Sequence, residues 1–472
     1  MRAYLATSIG VACTAALLLP LSQPSDALAA PGPATAPDQP HLRTGAAAVP
    51  GSTQSLPLTP LATRRSPDAA REQGVARRDV RPFSLLGVVW DDADAEFHGT
   101  VQVRTRATAT HVWSDWQDLE THNQEHGADP GTQERDSGTV HGSTAPLWVG
   151  GSDGVELRVR AVQEDGESGP PRALLPRGLR LELIDPGEEP ADTGGTDAVG
   201  KGSTGEAGGT ADSGATGPLA EAERAPAAPM SLEESDTSAA NEGLVTLGAR
   251  EIPALTKAEA EAEVTDTAAR KYAAPRPRIV TRRGWGADES LREKRFGYTS
   301  TVKAAFVHHS ATGNNYTCKE APSVLRSIYR YHVRSSGWRD FGYNFAIDKC
   351  GNIYEGRAGG VARPVLGAHT LGFNTNTVGI AVLGTYSGTN PPEAATTAVA
   401  QLTAWKLGLH GVNPKGKVTL TSGGSGKYAK GTRVGMNTIS GHRDGFSTEC
   451  PGSRLYGRLG TVRAAAARYQ GR

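Results

Sequence analysis

Aromatic side chains are sparse in this chain of 472 residues, which holds 8 Phe, 12 Tyr and 7 Trp. None falls within residues 5–82, and none within 149–271. Aromatic residues carry the largest apolar areas. Stretches that lack them and are rich in Ala, Gly, Pro, Ser, Thr and Glu bury too little surface to offset the entropy of ordering. Residues 31–80 are therefore expected to be disordered and 187–276 to form a flexible linker, with helical propensity confined to 251–272. An excess of one charge is also missing: 50 Lys and Arg balance 50 Asp and Glu, and no basic block stands out in either folded region. That argues against a nucleic-acid partner. Long apolar runs are absent too. The longest, residues 9–21, is broken at Pro20 and followed by Pro24, too short for a membrane helix. With Arg2 ahead of it and Ala27-Leu28-Ala29-Ala30 behind, residues 1–30 read as a secretory signal cleaved after Ala29 or Ala30. The mature chain is then expected to be extracellular, without an integral membrane segment, and monomeric.

Cysteine is equally scarce, at four residues. Cys13 lies midway in the apolar leader after Gly10-Val11-Ala12 rather than a leucine-led tripeptide, which favours free secretion over a lipid anchor. Cys450 lies in GHRDGFSTECPG (residues 441–452), eight residues after His442, a spacing one loop can fold onto a single ion. His308 ends the alternating run KAAFVHHS (303–310), in which Ala304, Phe306 and His308 share one face and Val307 and His309 the other. A lone strand-end histidine is more often a core residue. The set of His308, His442 and Cys450, with His309 nearby, decides for Zn²⁺. Two imidazoles and a thiolate suit that ion, and three protein ligands leave a fourth position open for water or substrate. Cys318 and Cys350 remain, and two thiols in an exported protein are expected to form a disulfide. The competing assignment, one of them as third zinc ligand, lacks a histidine at close spacing. One further motif fails: GSGK at 424–427 is followed by Tyr428 and has Thr421 where a phosphate loop needs glycine.

Short alternating segments at 84–90, 101–105, 145–149, 155–161 and 179–183, separated by Gly, Asp and Pro, predict an all-β sandwich over residues 81–186. Trp113 and Trp116 there are expected in its core rather than on a sugar-stacking platform. His98, His111, His122, His126 and His141 fall at unrelated spacings and are expected on the solvated surface. From 277 to 472 the pattern predicts strands at 304–309, 343–347, 352–355 and 378–383 and helices at 323–335, 393–409 and 453–469. That order makes an α/β domain, a mixed sheet flanked by helices.

The blocks RRGW (282–285), FVHHSATG (306–313), YHVRSSGW (331–338), GYNFAI (342–347), YEGRAGG (354–360), GAHTLGFNTNTVGIAVLG (367–384) and GHRDGFSTECPG resemble the peptidoglycan recognition protein and N-acetylmuramoyl-L-alanine amidase family. The sandwich and linker ahead of them are similar to an arrangement found in actinobacterial proteins. The resemblance implies that His308, His442 and Cys450 bind zinc and that Tyr343 and Thr448 assist catalysis. The bond cut would join N-acetylmuramic acid to the L-alanine of the peptidoglycan stem peptide. His309, His332, His369 and Asn374 lie in matching blocks and are expected near substrate. The general base is left between Tyr343 as phenolate and a carboxylate such as Glu355. Between the EGR and GAH blocks the family carries a tryptophan-containing segment. Here that stretch is AGGVARPVL, which leaves the choice between diaminopimelate and lysine stems open, with Arg363 as a candidate carboxylate partner. The rival to hydrolysis is a module of the same fold that binds muramyl peptides without cutting them; retention of Cys450 argues for the enzyme. A zinc peptidase lacks its HExxH helix here.

Overall fold

A computed structural model describes residues 50–61, 72–121, 123–162, 175–188, 230–263 and 272–472. The expected signal peptide, Cys13, His122 and most of the expected disordered stretches lie outside the described residues. Those described belong to one compact unit, Ala47–Arg472.

The N-terminal domain is all-β and sandwich-like. Strands β1 (Ser52–Pro57), β2 (Thr59–Pro60), β3 (Glu72–Trp90), β4 (Gly99–Ala107), β5 (Gln117–Leu119), β6 (Gly142–Ser143), β7 (Leu147–Ala161) and β8 (Arg180–Asp185) form one sheet ordered β1-β8-β3-β7-β4-β5, with β2 and β6 on β3. Long strand β3 changes register against β7 at three places, the kind of irregularity that bends a strand and lets a sheet curl over its own core. That core holds Phe83, Leu86, Val88, Trp90, Val101, Val103, Leu157 and Leu181. Strands at 52–60 and 72–80 correct the expectation of disorder there. β1 needs no aromatic residue because it pairs along its whole length with β8, Ser52 against Asp185 through Pro57 against Arg180. Trp113 and Trp116 are not in the core either: both are partly exposed, with Arg77 4.3 Å above Trp113 and Arg158 4.1 Å above Trp116.

The C-terminal domain has a seven-stranded sheet ordered β17-β11-β14-β12-β13-β10-β9. Its strands are β9 (Glu251–Ile252), β10 (Ile279–Val280), β11 (Ala304–His309), β12 (Phe345–Ile347), β13 (Ile353–Glu355), β14 (Thr377–Val382) and β17 (Ile439–Gly441); β15 (Lys417–Thr421) and β16 (Arg433–Asn437) make a separate hairpin. Helices are α1 (Leu232–Ala239), α2 (Lys257–Glu263), α3 (Ala321–Arg330), α4 (Glu393–Gly408), α5 (His442–Gly445), α6 (Ser453–Tyr456) and α7 (Leu459–Tyr469). Every residue of β11 and β14 is buried, as expected of parallel strands covered on both faces. Ala305 and Val307 point into the core with α4 and α7, whereas Ala304 and Phe306 pack on Phe373 and the β15–β16 hairpin. The expected C-terminal helix is split between α6 and α7. Cys318 and Cys350 form the expected disulfide.

Part of the expected linker is packed structure. Ser231 and Glu234 cap α1 reciprocally, and Asn241 beyond it donates to both carboxylate oxygens of Glu355 at 3.0 Å. The two domains share a core: Leu85, Val89, Trp148 and Ile184 cluster with Trp285, Leu325, Ile328, Tyr331, Phe341 and Tyr343. The Tyr331 hydroxyl, in a π turn (Tyr331–Ser335) after α3, donates to the Thr144 carbonyl at 3.1 Å. Its ring comes so close to β3 that a Cβ on Gly87 would lie 2.3 Å from the hydroxyl.

Candidate metal centre

Parallel pairing of β11 with β17 sets Val307 opposite Gly441, so the next residues, His308 and His442, stand side by side with ring centroids 4.6 Å apart. Asp444 fixes the turn that carries His442. Its carboxylate accepts from the Gly441 amide at 2.9 Å and from the Tyr456 hydroxyl at 2.7 Å. The same loop returns Cys450, whose Sγ lies 3.7 Å from His308 Nδ1. Zn–N bonds of about 2.0–2.1 Å and a Zn–S bond of about 2.3 Å in a tetrahedron place N and S roughly 3.5 Å apart, so this separation suits a shared zinc ion. The three expected ligands are together and buried.

A fourth donor joins them. The ligand atoms of His126, His308, His442 and Cys450 all lie within 4.8 Å of one another. His126 comes from the N-terminal domain, in the segment between β5 and β6, with its ring 4.5 Å from that of His442. This corrects two expectations: His126 is buried rather than solvated, and the fourth position faces a histidine. Neither ring nitrogen of His126 or His442 meets a hydrogen-bond partner. Buried imidazoles left unpaired cost roughly 1–3 kcal/mol each, a cost that a cation accepting their lone pairs removes. Three imidazoles and one thiolate therefore fit zinc.

Electrostatics agree. Burial pushes the His308 and His442 imidazoles well below their ordinary range, and burial also lowers His126 to about 3. All three rings are thus neutral near pH 7, the form a metal needs. Burial raises the Cys450 thiol well above its ordinary value; a bound cation would stabilise its thiolate. Behind His308, Nε2 lies 3.2 Å from His369 Nδ1, and His369 Nε2 lies 3.4 Å from the Thr377 hydroxyl. This chain orients a ligand with Nδ1 toward the sulfur. Gly379 makes room for it, since a Cβ there would lie 2.3 Å from the His369 ring.

The remaining expected residues divide. The Tyr343 ring packs 5.2 Å from that of His308, and burial, with Cys450 and Glu125 beside it, holds its phenol well above the usual range; it is a proton donor, not a phenolate. Thr448 donates to Glu125 Oε1 at 2.7 Å and accepts from the Cys450 amide at 3.1 Å. His309 Nδ1 accepts from the Tyr386 amide at 3.2 Å. His332 is buried in the π turn, stacked on Trp338 and accepting from the Gly342 amide. His369 is wholly buried behind His308 and offers substrate no exposed atom. Asn374 Nδ2 donates to the Gly127 carbonyl and to Asp129. Glu355 lies elsewhere, held by Asn241 and the Arg282 amide, and is no base for this site. Arg363 is exposed and stacks on Tyr298 at 3.8 Å.

Sequence reasoning missed Arg357, in the EGR block, and its partner Glu134. The Arg357 guanidinium grips that carboxylate through two 2.8 Å bonds. It missed Glu125 and Asp129 as well. The cavity left among Glu125, His126, His309, Tyr343, Thr448 and Cys450 measures about 10 Å³, the least that holds one water. Among the described residues no helix is long and apolar enough to cross a membrane.

Family comparison joins these observations. Residues 298–453 match the N-acetylmuramoyl-L-alanine amidase family model, and residues 39–176 match the Rv3811 N-terminal galactose-binding domain-like model. Peptidoglycan-recognition protein SC2 of Drosophila simulans is 34% identical over 185 residues, covering 39% of this chain and 85% of that protein. Human N-acetylmuramoyl-L-alanine amidase is 34% identical over 140 residues, covering 29% of this chain and 20% of that one. Among solved structures, wild-type Drosophila PGRP-LB aligns at 25% identity with a TM-score of 0.31, covering 39% of this chain and 92% of that chain. With the match to SC2 spanning most of that relative, this chain belongs to the peptidoglycan recognition protein and N-acetylmuramoyl-L-alanine amidase family.

Proposed function

We propose that the protein is an exported, zinc-dependent N-acetylmuramoyl-L-alanine amidase that hydrolyses the amide between N-acetylmuramic acid and the L-alanine of the peptidoglycan stem. The observation that supports this best is the convergence of His308, His442 and Cys450, with orphaned ring nitrogens on His442, at the ends of β11 and β17. Zinc held there would polarise the scissile carbonyl and lower the pKa of a water. Around it, Tyr343 keeps its proton and can donate to the oxygen that gains charge as the carbonyl is attacked. The Thr448 hydroxyl, already a donor to a carboxylate in this cavity, can do the same. His369 holds the His308 ring in one orientation. Retention of Cys450 favours cleavage over a module that only binds muramyl peptides.

Metal analysis combined with mass spectrometry of purified peptidoglycan after incubation tests the reading. Expected are about one zinc per chain and free lactyl ends with intact stem peptides. Absence of zinc, or products cut within the stem peptide, would refute it.

A further inference from the structure

We propose that the chain folds as a latent hydrolase: residues 123–141, between β5 and β6, close the metal centre, with His126 as a fourth protein ligand. The inference rests on the zinc reading above and concerns how that site is regulated.

Coordination chemistry is the first support. Catalytic zinc sites keep three protein ligands and an open position, whereas four protein ligands make a closed site. His126 offers a nitrogen to the centre of the cluster, has no hydrogen-bond partner for either ring nitrogen, and is wedged against the rings of His442 and His308 at 4.5 and 5.4 Å. While the segment is in place, a stem peptide cannot enter the 10 Å³ that remains beside it.

The second support is what else the segment grips. Glu125 takes the Thr448 hydroxyl, while its carbonyl accepts from the Leu371 amide at 2.9 Å. Asp129 accepts from the Gly372 amide at 2.8 Å and from Asn374 at 2.6 Å. Glu134 is clasped by Arg357 and accepts from the Arg339 amide at 3.2 Å. Three acidic side chains thus occupy donors on the C-terminal domain, and they leave an open cavity of about 250 Å³ between Glu134, Arg295, Arg339 and Asn374. Because the domain body is docked through a shared apolar core, activation requires withdrawal of the segment rather than departure of the domain. Its outer part, residues 136–139, is exposed.

The test uses the full chain loaded with zinc, and with Co²⁺ for spectroscopy. X-ray absorption of the parent is expected to give three nitrogens and one sulfur. His126→Ala is expected to give two nitrogens, one sulfur and at least one oxygen, with stronger dependence of the Co²⁺ spectrum on added anions. Turnover of purified peptidoglycan should rise about tenfold or more, in proportion to the open fraction. The doubly weakened Asp129→Asn, Glu134→Gln chain leaves all four ligands in place. It should also raise turnover and speed loss of zinc to a chelator, and it keeps the test decisive if His126→Ala fails to fold. A parent that binds zinc through two nitrogens, one sulfur and water, with both variants no faster, would overturn latency and leave the amidase reading standing. A parent that binds no zinc would overturn both.

Discussion

The N-terminal domain meets the C-terminal domain through two surfaces of opposite character. One is apolar: Leu85, Val89, Trp148 and Ile184 sit in a single cluster with Ile328, Phe341 and Tyr343. The other, residues 123–141, is polar, built from carboxylates on an arginine, an asparagine, a threonine and backbone amides. Apolar burial is non-directional and persists under most conditions. Charged hydrogen bonds are directional and respond to pH, salt and competing ligands. One surface suits permanent docking and the other reversible closure.

The largest effect expected is that of Cys450→Ala, which removes the sulfur ligand. Zinc content should fall below stoichiometric and peptidoglycan release to background, measured by metal analysis and turbidity. Activity surviving in metal-free protein would show that the centre closed by the polar surface does not carry the reaction. Next, Leu85→Ala hollows the apolar surface and should cost about 2–5 kcal/mol in denaturant unfolding, with the zinc coordination unchanged. A cost near zero would show that the shared cluster is not core-like.

Glu134→Gln probes the polar surface, and the expected loss is smaller, about 1–3 kcal/mol at pH 7. That is below the 3–5 typical when a fixed interior pair is broken, because the segment can lift and let Arg357 reach water. Burial pushes the Glu134 carboxyl up, but Arg357 outweighs it and the net shift is downward. This contribution is therefore present above the ordinary glutamate pKa of about 4.3 and fades as pH falls through it toward the folded value. The gap between parent and variant should close on acidification.

An interior carboxylate should show the opposite slope. Burial raises Glu355 to about 7, so the parent loses stability as pH rises from about 4.5 to 7 while the unfolded chain ionises first. Glu355→Gln should become relatively more stable over that window, by on the order of 2–3 kcal/mol, with turnover of peptidoglycan retained. Loss of turnover would restore Glu355 as a candidate base.

Much of the C-terminal domain was legible in the sequence because its strands are apolar and its motif blocks dense. The strand expected at 304–309 matches β11 in extent, and both ligands of the late loop follow from one short segment. The β15–β16 hairpin was missed since its strands are half exposed and mostly polar. Helix α1 was missed despite a readable sign, Ser231 three residues before Glu234, which forms a capping box. His126 carried no local signal at all. It lies in a turn-rich stretch, NQEHGADP, and only the docking of one domain on the other gives it neighbours. The aromatic-poor strand at residues 52–57 misled for a related reason: its order comes from ladder hydrogen bonds to β8, which composition does not reveal.

The close fit of Tyr331 against Gly87 and Thr144 bears on how this protein can be dissected. A fragment starting after the first domain would carry that phenol and its greasy surroundings uncovered. Such a truncated product is expected to clump in solution, so an excised amidase half would report on its own stickiness as much as on its chemistry.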